Sequence, residues 1–380
     1  MAKFDVVFEG GGAKGSVFVG ALETLFQAGH STRRLIGTSA GAITATLLAA
    51  GYSPQEMLAA VNEKLPDGKP RFTRFMDKPV AADFSESVRQ KSQTMQALMA
   101  IHLPGSLETR ILDLLLLNPL YAQLFSFVEC GGLFAGSAFI AWLEEKLAAK
   151  GIAAGDTLKT FAAKKGVDLS VVASDTSDIE MLVLNQRTAP DVPVVWAVRM
   201  SMSIPFIWRE VVWREEWGLY RGRRKTGNII VDGGVLSNFP IRLIAEPEKE
   251  IMGDEDPFAA GNLGLLIDES MDVPALPGAP PRSPEAGPAG PAAGPQQAKP
   301  PLPVSQLRTV QRVTRLMDTM MGAQDNDEIR RHAAEICRLP AKGYGTTEFD
   351  MSTEKLNALI EGGRRAMRDH LAARAAAATA

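Results

Sequence analysis

Three short runs hold the residue types from which a covalent acyl-transfer site can be assembled. Ser39 sits in Gly37-Thr38-Ser39-Ala40-Gly41, a G-x-S-x-G run between a short β-rich stretch and an Ala-rich helical one. The flanking glycines permit the sharp strand-to-helix turn that lifts a serine Oγ clear of a sheet, where it can attack an acyl carbon. A serine just before a helix is also a common N-cap; the strand on one side and the helix on the other favour the nucleophile. The second run, Gly10-Gly11-Gly12-Ala13-Lys14-Gly15, leaves backbone N–H groups bare at the start of a helix, a setting that holds an anion. It satisfies G-x-G-x-x-G, but the dinucleotide reading also needs a carboxylate about 20 positions on, and His30-Ser31-Thr32-Arg33-Arg34-Leu35-Ile36 has none. A phosphate loop fails too, because Lys14-Gly15-Ser16 is not Gly-Lys-Ser/Thr. A plain tight turn is the alternative.

An activated serine needs a base, and the four histidines fit poorly. His30 follows the first helix, His102 lies in an inserted stretch, and His332 and His370 lie beyond a proline-rich run. An α/β-hydrolase would place several strands before its nucleophile, whereas Ser39 follows only two. The better base is Asp232, in Ile229-Ile230-Val231-Asp232-Gly233-Gly234 at the end of a β-rich run, although Asp-Gly after a strand can be a mere hairpin turn. A free aspartate, with a pKa of about 3.9, is a feeble base at neutral pH, so the site must raise that value by burial or couple proton transfer to attack. The loop N–H groups would then hold the oxyanion of the tetrahedral intermediate, worth about 3–4 kcal/mol per donor. This chemistry requires neither metal nor cofactor.

The elements that must position these groups alternate. Phe4–Phe8, Arg34–Gly37, Leu169–Ala173, Met181–Asn185 and Ile229–Val231 read as strands, with helices over Ser16–Ala28 and Ala40–Ala50. That pattern predicts an α/β fold, a mainly parallel central sheet with helices on both faces and its sites at the carboxyl ends of strands. Lys64 to Gly132 reads as a largely helical insertion. Val273 to Pro303 carries eleven prolines among Ala and Gly and reads as a linker or long loop. Beyond it, Leu307–Met321 and Thr353–Leu371 read as helices, the second capped by Ser352 or Thr353, with a frayed Ala-rich tail. The expected units are therefore 1–272, 273–303 and a mostly helical 304–380. With 41 basic and 44 acidic residues among 380, the chain is near neutral, which argues against a nucleic-acid binder. Cys130 and Cys337, far apart, support neither a disulfide framework nor a zinc site and fit a reducing, cytoplasmic setting. No apolar run reaches the ~18 residues of a spanning helix, and Met1 to Asp5 leaves no room for a secretory signal, so membrane contact would be peripheral.

In their order, G-G-G-x-[RK]-G, G-x-S-x-G and D-G-[GA] resemble the signature of the patatin-like phospholipases. The similarity extends to Val171–Asp175, Met200–Phe206 and Val235–Pro240, and Tyr344–Asp350 resembles a terminal strand of bacterial members. The resemblance implies a Ser–Asp dyad, Ser39 and Asp232, acting without histidine on acyl esters of phospholipids, lysophospholipids or related lipids. It implies an oxyanion hole drawn from Gly10, Gly11, Gly12, Lys14 and Gly15, and a nucleophile elbow shaped by Gly37 and Gly41. Lys14 stands where many relatives have arginine.

Softer signals concern access. The apolar run Leu112 to Phe127 reads either as a lid flanking the Ser39 pocket or as a buried helix. Arg221–Lys225 could meet anionic headgroups and Trp208, Trp213 and Trp217 an interface, or they could form a solvated hairpin end. Two rival functions stay open: a nucleotide-binding oxidoreductase using the glycine loop, and a lipid-binding protein that keeps the fold without the activity.

Overall fold

The computed structural model describes residues 2–101, 107–254, 261–274, 319, 325–346 and 348–379. Most of the proline-rich run and the helix expected over Leu307–Met321 lie outside these residues. The eight sheet strands are β1 (Lys3–Phe8), β2 (Ser31–Thr38), β3 (Asp168–Asp175), β4 (Glu180–Leu184), β5 (Val211–Val212), β6 (Ile229–Asp232), β7 (Gly261–Asp272) and β8 (Ile336–Lys342). They run in the order β8-β7-β1-β2-β3-β6-β5, with β4 pairing β3. Pairings from β8 to β3 are parallel, whereas β4, β5 and β6 join antiparallel.

The side-chain period of two builds three layers from this one sheet. Val6, Phe8, Leu35, Val171 and Ala173 enter the large core on one face, while Val7, Ile36 and Val172 enter a smaller core on the other. Helices α1 (Val17–Gln27), α2 (Ala40–Ala50) and α5 (Val194–Ser201) pack in the large core, as does α6 (Thr353–Thr379). Helix α6 continues through the Ala-rich tail instead of fraying, and Ser352 Oγ accepts the N–H of Lys355 at its start.

The described residues of the C-terminal part are mostly helical, with one element not expected there: β8 is an edge strand of the main sheet, paired to β7 from Gly264↔Ile336 to Asp272↔Lys342. The strand ends there, so the described residues of Tyr344–Asp350 form a turn-rich loop and not a terminal strand. The inserted stretch is helical as expected. Helices α3 (Leu107–Leu116) and α4 (Pro119–Cys130) bury Leu112, Leu116, Ala122 and Phe125 against Phe84 and Met95 in a satellite core of their own. No single helix among the described residues is long and apolar enough to cross a membrane; α3 and α4 together carry enough apolar length, but they bend by 108°.

Candidate active site

Ser39 is the hinge between β2 and α2. Its φ of 52° and ψ of −118° lie in a sparsely populated region for a residue with a Cβ, which stores on the order of 1–3 kcal/mol. The elbow persists because its surroundings fit nothing else. A Cβ on Gly37 would stand 2.2 Å from the carbonyl oxygen of Gly41, and one on Gly41 2.3 Å from that of Phe8. The Ser39 N–H donates to Ser201 Oγ at 2.9 Å, and Ser201 Oγ donates to the carbonyl of Val172 at 2.5 Å.

Sheet register brings Asp232 alongside. Thr38 pairs with Val172 and Asp232 with Ala173, the next residue of β3, so the end of β6 stands level with the elbow. Asp232 is fully buried; its Oδ1 accepts the N–H of Gly234 at 2.8 Å, and Oδ2 has no partner besides the Ser39 hydroxyl among the described residues. Burial pushes the carboxyl up to about 7, opposed by the Ser39 hydroxyl and the Gly234 N–H. Its own N–H donates to the carbonyl of Ser203, whose hydroxyl is tied to the buried Arg199. Among the described residues, no histidine lines the pocket that opens at Ser39.

The glycine loop is sorted by its partners. Gly10 N–H donates to the carbonyl of Asn238 and Lys14 N–H to that of Gly11, so neither is free for an anion; this corrects the sequence expectation that included both. Gly11 and Gly12 N–H groups have no acceptor among the described residues. Gly12 has a φ of +56°, and a Cβ there would meet the Thr346 carbonyl oxygen at 2.0 Å. Gly12 and Gly15 line the pocket together with Ser39; Gly10, Gly11 and Lys14 do not. The buried Lys14 side chain pairs with Glu269 instead. Glu9, just before the loop, accepts from Ile267 N–H and from Asn238 Nδ2, and burial raises its carboxyl to about 8.

The pocket wall is apolar. From the elbow side come Ile43 and Leu47, and from the inserted stretch Phe72 and Phe75. None of Leu112 to Phe127 lines it, because the buried members of that run fill the satellite core. Trp208, Trp213 and Trp217 are buried, so they offer no interfacial belt. Lys225 is equally buried and spends its charge on Asp175, Asp178 and Glu180 at 2.8, 2.6 and 2.7 Å, a carboxylate trio filled by its own lysine. The roles of Ser201 and Asn238 have no local signature, because their partners come from distant segments.

Residues 6–245 match the family described as patatin-like phospholipase. Over 368 residues, 95% of each chain, the protein is 29% identical to the uncharacterized protein YqhO of Bacillus subtilis. It is 23% identical to the probable lipid hydrolase 463L of invertebrate iridescent virus 6 over 62% of this chain and 61% of that one. Among solved structures, VipD from Legionella pneumophila overlaps 97% of this chain and 67% of its own, at 14% identity and a TM-score of 0.46. The ExoU–SpcU complex from Pseudomonas aeruginosa overlaps 98% of this chain and 51% of its own, at 18% identity and a TM-score of 0.41. With well over half its length matched, the chain belongs to the patatin-like phospholipase family, and so to the lipid hydrolases.

Proposed function

We propose that the protein hydrolyses fatty-acyl ester bonds of phospholipids or lysophospholipids through a Ser39–Asp232 dyad. The observation that carries this reading is a strained, pocket-lining serine whose hydroxyl acts on the buried Asp232 carboxyl, where Oδ2 has no other partner among the described residues. In the first half-reaction, Ser39 Oγ attacks the acyl carbon as its proton passes to Asp232 Oδ2. The oxyanion is received by the N–H of Gly12, the loop residue that both lines the pocket and has no acceptor among the described residues. Collapse expels the alcohol, which takes the proton from Asp232 and leaves acyl-Ser39. Asp232 then deprotonates a water that attacks this ester, and the fatty acid departs with Ser39 restored. A carboxyl near 7 is matched to both steps, since it can hold and release a proton at neutral pH.

The mainly apolar wall supports an acyl tail as the part of the substrate that is bound. Leu114, Leu117 and Val128 are 67%, 70% and 62% exposed on a stretch, residues 114–128, without one charged residue. This outer face of α3 and α4 is the part of the surface we assign to peripheral contact with lipid aggregates. Both cysteines are unpaired, which supports a reducing, cytoplasmic setting. Labelling with a fluorophosphonate and mapping the modified residue tests the nucleophile. A label at Ser39 with ester turnover is expected; tight NAD(H) binding without that label would favour the rival.

A further inference from the structure

The part of the chain beyond residue 245 lies outside the family match, yet it closes the site. Phe349, Met351 and Leu356 face the same pocket as Ser39, opposite residues of α1 and α2. They are held in a braced turn. Tyr344 Oη donates to the carbonyl of Lys355 at 3.0 Å, Gly345 N–H donates to Glu348 Oε2 at 3.1 Å, and Lys355 Nζ reaches Glu348 Oε1 at 2.5 Å. The Phe349 ring meets Trp208, another pocket residue, edge-on at 6.1 Å. Leu356 sits in the first turn of α6, which is itself fixed to α1 by the Arg364–Glu23 ion pair at 2.7 Å. On the loop side, the Thr346 carbonyl accepts the N–H of Ala13 at 2.8 Å.

We propose that this turn is the specificity wall of the enzyme: Phe349, Met351 and Leu356 set the length of acyl chain that can be seated while Ser39 attacks. The inference rests on Ser39 as the nucleophile. A tail packed against a fixed apolar wall gains about fourfold in kcat/KM per buried methylene, until it meets the end of the pocket. Side chains on a braced turn, and not on a loose flap, make that end sharp. Ser39 and the glycine loop present the reacting carbon, and Ile43 and Leu47 of α2 flank the tail along its course.

The test is a series of p-nitrophenyl esters from acetyl to palmitoyl, read as the ratio of long-chain to short-chain kcat/KM, on the full chain. Met351→Trp should lower that ratio tenfold or more. Phe349→Ala should move the preferred length upward by two or more carbons. The rate at which ethyl and dodecyl fluorophosphonates modify Ser39 should change in the same sense, which reads tail fit without turnover. A uniform change across all lengths, or none in variants whose thermal midpoint matches the parent, would overturn the proposal. If the parent protein itself neither labels at Ser39 nor turns over esters, the nucleophile reading fails, and the wall assignment falls with it.

Discussion

Ser201 Oγ accepts the backbone N–H of Ser39 while donating to the Val172 carbonyl, so one hydroxyl ties the elbow to the adjacent strand of the sheet. This bond also removes the Ser39 N–H from the set of oxyanion donors. Ser201→Ala would leave a buried donor unmatched, at a cost of about 1–3 kcal/mol. We expect a thermal midpoint lower by a few degrees and a kcat reduced at least tenfold with KM little changed, measured by calorimetry and initial rates.

The dyad is tested by removing each member. Ser39→Ala and Asp232→Asn should each reduce ester turnover by about 10³-fold or more, and the double variant should be no worse than the weaker single one, because the two act as a unit. Circular dichroism would show that the variants remain folded. Turnover within tenfold of the parent in either single variant would end the dyad reading.

Burial of Asp232 fixes the sign of two pH effects. As a base with a carboxyl near 7, it should make kcat/KM rise about tenfold per unit below pH 7 and level off above it. Stability should run the other way. The folded chain keeps this proton up to about pH 7, while the unfolded chain gives it up near 4, so the folded state binds more protons across that window and loses stability as pH rises. Asp232→Asn, which cannot ionise, should therefore gain thermal stability over the parent at pH 8 but not at pH 4.

Contact with lipid is read from the outer face of α3 and α4. Replacing Leu114 and Leu117 by Ser should lower the ratio of vesicle phospholipid turnover to soluble-ester turnover by about tenfold, with little loss of stability because both side chains are exposed. The same replacement at Leu112 and Leu116 should instead cost several kcal/mol, since these fill the satellite core. Vesicle flotation assays would separate the two outcomes.

Lys225→Met would leave Asp175 buried opposite Asp178 and Glu180 without its cation. Losing one partner of such a group costs about 3–5 kcal/mol. Because Asp175 pairs with Ile230 two residues before Asp232, turnover should fall together with the unfolding midpoint in urea.

Much of this arrangement was readable in the chain because it is local. Gly and Ser punctuate β1, β2 and α2, so those elements follow expectation to within a residue or two at most ends, and Asp-Gly-Gly after a β-rich run placed Asp232. Partners hundreds of residues away were not readable. Whether a loop N–H is bare depends on Asn238 and Thr346, which is why Gly10 and Lys14 could not be separated from Gly11 and Gly12. The leucine run misled for a different reason. Leu112 and Leu116 lie on one face of α3 and pack with Phe125 of α4, while Leu114 on α3 and Leu117 in the turn after it are exposed, and composition alone does not assign the faces. Neither the interface nor the solvated hairpin end that the tryptophans and the basic loop left open foresaw the burial of Trp208, Trp213, Trp217 and Lys225, because a buried lysine with three carboxylates has no sequence signature.

The distance along the chain between Ala13 and the Thr346 carbonyl that holds it has a consequence for biosynthesis. A nascent chain carries its serine early and its aspartate midway, but the support for the glycine loop leaves the ribosome only after some 330 further residues. Until β8 joins the sheet edge and α6 docks on α1, the loop lacks its acceptor and the pocket lacks a side. We expect copies that end before β8 and α6 to lack ester turnover.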